Sequence, residues 1–291
     1  MKIWYYDNKQ LVEEKIVAGN IMRLIYENPT GRATLPFLVK RKIFSHLYGA
    51  YCRTGHSAKK ISTFIKDYNI DMTGCTGSYK NFAEFFSREK SGVLFPENTE
   101  ESIPIGSPCE GLICVDDNID PGNLIAAKGS YFPLNQLLGD SKLAESYRDG
   151  IMLKIRLTPT NYHRMHFFDD AKIEDIKFID GHLYSVSPIA LPHIANLYCQ
   201  NKRAVVQLAT KNFGDAIIVE VGATFVGSIV HLFKEGDYVK CGQQASYFLP
   251  GGSLVMIFFK KGAFVPDKAL VSNTKEGFET KINIGIKVGA K

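Results

Sequence analysis

The spacing of apolar residues changes once along the chain. In residues 12–70 it is helical: Ile16, Val17, Ile21, Leu24 and Ile25 form one stripe, which stops at Pro29 and Gly31. The spacing predicts a second helix over residues 35–51, carrying Phe37, Leu38, Phe44, Leu47, Tyr48 and Tyr51. A third starts after Ser57, which suits an N-cap for AKKISTFIKDY. Lys40, Arg41, Lys42, Lys59 and Lys60 are interspersed among these apolar positions. A basic amphipathic layer of this kind serves as a solvated face or as a membrane-surface face. The polar stretch 96–101 reads as a linker.

From residue 105 onward the apolar runs are short: LICVDD, IMLKIRL, KIEDIKFID, RAVVQLAT, DAIIVEV, TFVGSIVHLF and SLVMIFFKK. Gly, Pro, Asn and Asp bound them, as they bound strands. Helical pattern is sparse there, chiefly near residues 134–138. The predicted class is α+β: an N-terminal helical layer over residues 1–100, with a membrane-surface role open to it, then a mostly antiparallel β catalytic domain over 101–291. No repeat of fixed period interrupts the pattern.

Composition narrows this reading. Of 291 residues, 45% are apolar and 22% charged, which suits a globular chain and excludes disorder over most of its length. No run approaches the roughly 20 apolar residues of a membrane span, so membrane contact is expected to be peripheral. The net charge of +5 permits attraction to anionic surfaces or substrates. The six cysteines form no CxxC pair and match no zinc module. With no apolar signal core after the first lysine, reduced thiols in a cytoplasmic compartment are expected.

Reactive groups gather in Ser107-Pro108-Cys109-Glu110-Gly111, in Asn161-Tyr162-His163-Arg164-Met165-His166, and in Pro250-Gly251-Gly252-Ser253. Two glycines before a serine leave a backbone carbonyl open to attack by the serine oxygen, an N→O acyl shift. Serine needs a base for this, usually a histidine oriented by a carboxylate. Gly-Gly-Ser is also an ordinary turn. An HxxH pair is also a zinc motif, but no third ligand and no HExxH accompany it. No GxSxG, GxGxxG or GxxxxGK[ST] occurs. The segment EGDYVKCGQQASYF (235–248) resembles the hairpins of biotinyl and lipoyl carriers, but no lysine stands at its tip with the expected neighbours.

Taken in order, these segments resemble the phosphatidylserine decarboxylases over nearly the whole chain. The resemblance rests on NFAEFFSRE (81–89), SPCEG (107–111), KGSYFPLNQLLG (128–139), NYHRMHF (161–167), GHLYSVSP (181–188), NKR (201–203), NFGDAIIVEVGATFVGSI (212–229) and YFLPGGS (247–253). It implies self-cleavage between Gly252 and Ser253, giving a β chain (1–252) and an α chain (253–291). Ser253 would become a covalent pyruvoyl cofactor, an electron sink that decarboxylates phosphatidylserine to phosphatidylethanolamine. It implies that His166 activates Ser253, that Glu110 orients His166, and that His163 reprotonates the carbanion. Tyr162 and Arg164 would shape the site. The resemblance also implies an anionic phospholipid substrate, no metal and no nucleic acid, and a homodimer held peripherally on the cytoplasmic side of the cell membrane.

This chain departs from the family pattern at Glu110 (usually aspartate), Leu254 (usually Ser or Thr), Pro250 (often apolar or aromatic) and Phe95 (usually arginine). Two alternatives therefore stay open: a decarboxylase for another amino-acid substrate, and an uncleaved lipid-binding relative.

Overall fold

The computed structural model describes the backbone of residues 4–40, 43–75, 77–127, 130–223 and 229–291, and within these the side chains outside 4, 35–46 and 125–127. The side chains expected at Phe37, Leu38, Lys40, Arg41, Lys42 and Phe44 lie outside the described residues. So do residues 128–129 and 224–228 of the quoted motifs.

The chain is α+β, with one large and nearly all-antiparallel sheet. Its ten strands run in the order 238–239, 171–179, 203–210, 214–222, 253–259, 151–157, 111–116, 279–282, 4–7 and 10–13. Only the pairing of 4–7 with 279–282 is parallel. The run SLVMIFF becomes the strand Ser253–Phe259, and all seven residues are buried. A continuous apolar run suits a strand covered on both faces. Side chains alternate across a sheet. Accordingly Val255, Ile257 and Phe259 enter one core, together with Ile151, Leu153, Ile155 and Leu157. Leu254, Met256 and Phe258 enter the other, with Met152, Val219 and Val221. Leu254, a departure from the family pattern, is therefore a core residue facing the layer opposite Val255.

The N-terminal segment differs in part from expectation. Helices form at Gly19–Tyr26, Pro29–Lys40, Ile43–Cys52 and Ile61–Tyr68. Residues 4–13, however, form a hairpin of strands Trp4–Asp7 and Gln10–Glu13. Asn8 and Lys9 turn the chain with φ of 48° and 65°. Positive φ at both central residues marks a type I′ turn, which matches strand twist. Lysine at the second position hid that turn, where glycine would have announced it. A third core then joins the helices: Cys52, Phe82, Ala83, Phe85 and Phe86, with Phe64 packed against it. The short helix Phe82–Phe86 is capped by Asn81, whose side chain accepts from Glu84 N.

Candidate active site

Ser253 opens its strand fully buried, paired with Gly222 on one side and Leu157 on the other. The chain enters through Pro250, Gly251 and Gly252. Gly251 has φ of +149°, a conformation open to glycine. Gly252 has room for a Cβ, which would meet Val186 Cγ2 at 3.5 Å. Backbone conformation thus demands the first glycine and only tolerates the second.

Directly beyond Leu157 the chain turns. Asn161 Oδ1 accepts from Thr158 N and Thr158 Oγ1, both at 2.8 Å, and Asn161 N donates to Thr158 O at 2.9 Å. This turn delivers His163 to Ser253. The ring's Nδ1 lies 3.2 Å from Ser253 Oγ, and its Nε2 lies 2.9 Å from Thr158 O. A carbonyl only accepts, so Nε2 carries the hydrogen and the neutral ring turns its Nδ1 lone pair toward the serine hydroxyl. Phe86 stacks on the ring with centroids 3.9 Å apart at 27°. Burial, with the Arg88 cation second, lowers the His163 pKa to about 3. At neutral pH the ring is an unprotonated acceptor.

His166 lies elsewhere. Its Nδ1 donates to Gly242 O at 2.8 Å, and its Nε2 accepts from Tyr162 OH at 3.0 Å. Phe95, another departure from the family pattern, stacks on it at 6.3 Å. Burial lowers its pKa. The expected contact of His166 with Ser253 is therefore replaced by His163. Side chains an odd number of residues apart on a strand take opposite faces. With Arg164–His166 a strand and His163 leading into it, one ring meets the serine and the other turns away. The two rings of the HxxH pair thus face different surroundings. Among the described residues no group of three or more His, Cys, Asp or Glu side chains is arranged to hold a metal.

Glu110 does not orient His166 either. It accepts from Asn161 Nδ2 at 3.0 Å. The carboxylate thus reaches His163 indirectly, through Asn161, the Thr158 turn and the Thr158 carbonyl. Motif reading missed Thr158 and gave Asn161, though inside a quoted segment, no role of its own, because their part is turn geometry. Arg164 holds the flanking structure: Nε donates to Ser87 O at 2.9 Å and Nη1 to Gln244 Oε1 at 2.6 Å. Asn201, from the NKR motif, donates to Gly222 O at 2.8 Å and so braces the strand partner of Ser253.

A cavity of about 320 Å³ opens at Gly251 and Gly252. Ile16, Met22, Phe64, Phe82 and Phe86 give it an apolar wall supplied by the N-terminal segment. Arg156 stands at its polar end, buried between Glu14 and Glu279; it meets Glu14 Oε2 at 2.8 Å. The cavity thus reaches the two glycines that precede Ser253, while Ser253 itself stays fully buried behind them.

The family model for phosphatidylserine decarboxylase matches residues 82–290. A relative from Clostridium novyi is 42% identical over 96% of this chain and 95% of its own. One from Clostridium perfringens (strain SM101) is 39% identical over the full length of both. One from Ruminiclostridium cellulolyticum is 39% identical over 99% of this chain and 97% of its own. Each bears the name phosphatidylserine decarboxylase proenzyme.

Proposed function

The chain belongs to the phosphatidylserine decarboxylase family, and from that premise we propose that it is a carboxy-lyase that cuts itself at Gly252-Ser253 and decarboxylates phosphatidylserine. The observation that carries this reading is the 3.2 Å approach of a neutral, tautomer-fixed His163 to Ser253 Oγ.

His163 Nδ1 takes the hydroxyl proton as Oγ attacks the Gly252 carbonyl carbon. The Gly252–Ser253 C–N bond breaks, an ester forms, and the freed nitrogen accepts the proton. Loss of the 253 Cα proton then breaks the Cβ–Oγ bond. Residues 1–252 leave with a C-terminal carboxylate, and residue 253 becomes a dehydroalanine. Water replaces its nitrogen, and ammonia leaves. The residues present fit the resulting pyruvoyl group. Position 253 is held by two strand ladders beside an apolar cavity, and no metal is needed to form the group. When present, it supplies the electron sink for loss of CO₂. His163 then remains the buried group nearest residue 253 to return a proton.

The apolar wall at Gly252 supports a lipid substrate, and Arg156 and Lys15 line the same cavity. Ile21, Leu24 and Leu47 are each 60% or more exposed on the helical layer. This supports peripheral attachment to an anionic membrane, which the proposal assigns to the cytoplasmic side. No helix among the described residues is long and apolar enough to cross one. The homodimer implied by resemblance remains part of the proposal, and light scattering reads it.

Intact-mass spectrometry of the purified protein tests the reading. Chains of 1–252 and 253–291, the second with an N-terminal pyruvoyl mass, are expected, and CO₂ release from phosphatidylserine vesicles but not from free serine. A single uncut chain refutes the maturation step, and release from free serine alone refutes the lipid substrate.

A further inference from the structure

Arg156 lies in the strand Ile151–Leu157 and is 4% exposed. Its Nη1 and Nη2 donate to Glu14 Oε1 and Oε2 at 3.0 and 2.8 Å. Its Nε donates to Glu279 Oε1 and Oε2 at 3.2 and 3.1 Å, and Nη2 also meets Glu279 Oε2. Two carboxylates thus share one cation, and the trio carries a surplus negative charge away from bulk water. A buried ion group of this kind is weak ground for stability, because apolar residues of similar volume often replace it without loss. Its place is more telling. Arg156 pairs with Leu254, one position from the pairing of Leu157 with Ser253. Arg156 and Glu14 both line the cavity that reaches Gly251 and Gly252.

We propose that Arg156 is the binding site for the phosphodiester of the lipid headgroup, and that Glu14 occupies this site until the lipid displaces it. The inference rests on the lipid-substrate reading above. The two carboxylates differ in footing. Glu279 opens a strand that is paired on both sides, with Trp4–Asp7 and with Gly111–Asp116. Glu14 instead starts the connection from the strand Gln10–Glu13 to the helix Gly19–Tyr26, and residues 14–18 of that connection all line the cavity. Glu279 is therefore the fixed partner and Glu14 the exchangeable one. A guanidinium fork grips a carboxylate and a phosphodiester alike. Exchanging one singly charged anion for another leaves the charge around Arg156 unchanged, so no uncompensated charge is left buried. The headgroup carboxylate suits the fork less well. It leaves as CO₂, and gripping it would stabilise the ground state. The phosphodiester keeps its charge throughout. Lys15, also on the wall, is committed to Asp67 O at 2.7 Å and lies 5.0 Å over the Tyr68 ring.

Glu14→Gln keeps the shape of the occupant but makes it a weaker acceptor. Calorimetry on the full-length Ser253→Ala chain, with and without Glu14→Gln, measures the affinity for three soluble probes. Dihexanoyl phosphatidylethanolamine carries the phosphodiester without a carboxylate, dihexanoyl phosphatidylserine carries both, and dihexanoylglycerol carries neither. Removing the competitor is expected to tighten both phospholipids about 5-fold or more and to leave dihexanoylglycerol unchanged. Equal or weaker binding of phosphatidylethanolamine to the folded variant overturns the proposal, since a merely structural Glu14 gives no gain. A gain confined to phosphatidylserine assigns the fork to the carboxylate and overturns it too. So does an equal gain for dihexanoylglycerol, which would mean that Glu14 only shapes the apolar wall. Thermal melts report folding. If Glu14→Gln fails to fold, Arg156→Lys decides: weaker phosphatidylethanolamine binding with unchanged dihexanoylglycerol binding supports the site, and unchanged binding of both overturns it. If the wild-type chain never cuts or releases no CO₂ from phosphatidylserine, the decarboxylase reading fails, while these affinities, read on an uncut chain, still decide the role of Arg156.

Discussion

Exchanging the two histidines one at a time separates this geometry from the order of residues in the motif. His163 touches Ser253 Oγ, and His166 touches Tyr162 OH and Gly242 O. A positioned general base contributes typically 10²–10⁴-fold. With a pKa of about 3, His163 at pH 7 is unprotonated by about 10⁴ to 1. The ring is thus fully available as an acceptor, while the lowered pKa weakens it as a base, so the lower end of that range is expected on removal. His163→Ala should slow self-cleavage by at least about 100-fold. His166→Ala leaves a tyrosine hydroxyl and a carbonyl short of a partner, a stability loss of about 1–3 kcal/mol. Its cleavage should stay within about 10-fold of wild type, since no reacting atom is touched. The assay is cell-free synthesis of the full chain, a chase at pH 7, and gel separation of precursor from residues 1–252. Circular dichroism melts of the uncut chains control for folding. A folded His166→Ala chain that stays uncut, beside a His163→Ala chain that cuts normally, would refute the assignment.

Acid should weaken the uncut fold through His163. Its unfolded pKa is near 6.5 and its folded pKa about 3, so between these values the unfolded chain binds the extra proton. Stability is complete above about pH 6.5 and falls progressively toward pH 3, by up to about 5 kcal/mol. Ser253→Ala should lose melting temperature between pH 7 and 4 more steeply than Ser253→Ala/His163→Gln, and parallel slopes would contradict the buried neutral ring. Glu110→Gln should slow cleavage by less than about 10-fold, because the carboxylate acts through Asn161, whereas direct support of a catalytic histidine is worth about 10⁴; a loss of that larger size in timed gels would show a direct contact. After cutting, residues 253–291 should stay bound through native gel filtration. Leu254 to Phe259 are all fully buried, and six such side chains at about 2 kcal/mol each give about 12 kcal/mol; release of the short chain without denaturant would contradict the ladder pairings.

How much was legible depended on the range of the physics. The strand SLVMIFF could be read because continuous apolar character is local, and its two faces follow from alternation alone. Ser253 and the candidate histidines stood out because their chemistry is written in residue type. Which histidine meets the serine was not legible. That choice turns on where the strand Arg164–His166 begins, and boundaries are the least certain part of a sequence reading. Glu110 was assigned to the wrong neighbour for a related reason: its link runs through an asparagine whose importance lies in closing a turn. The same holds for Phe95, a departure that the structure uses to cover the His166 ring. Arg156 carried no signal of its own, since an arginine within a strand reads as solvated until its burial between Glu14 and Glu279 is seen.

The position proposed for the cut would account for why so much hydrogen bonding surrounds one serine. Cleavage before Ser253, as proposed, would place a new chain end in the middle of a ten-stranded sheet, between the strands Gly214–Gly222 and Ile151–Leu157. Elsewhere a freed terminus would fray. Here the residue that becomes the terminus is already fixed on both sides. Its neighbours on the amino side, Gly251 and Gly252, border the cavity. Breaking that bond would therefore free the segment that leads into the site while the strand ladders keep residue 253 in register. On the proposed reading, a cut there would meet two demands: a buried group held at 253, and an opening toward the cavity that Gly251 and Gly252 now border. Leu254 fits this logic. At the first position beyond the cut an apolar side chain, fully buried beside Val219 and Val221, holds the new end in place, and the chemistry needs nothing from it.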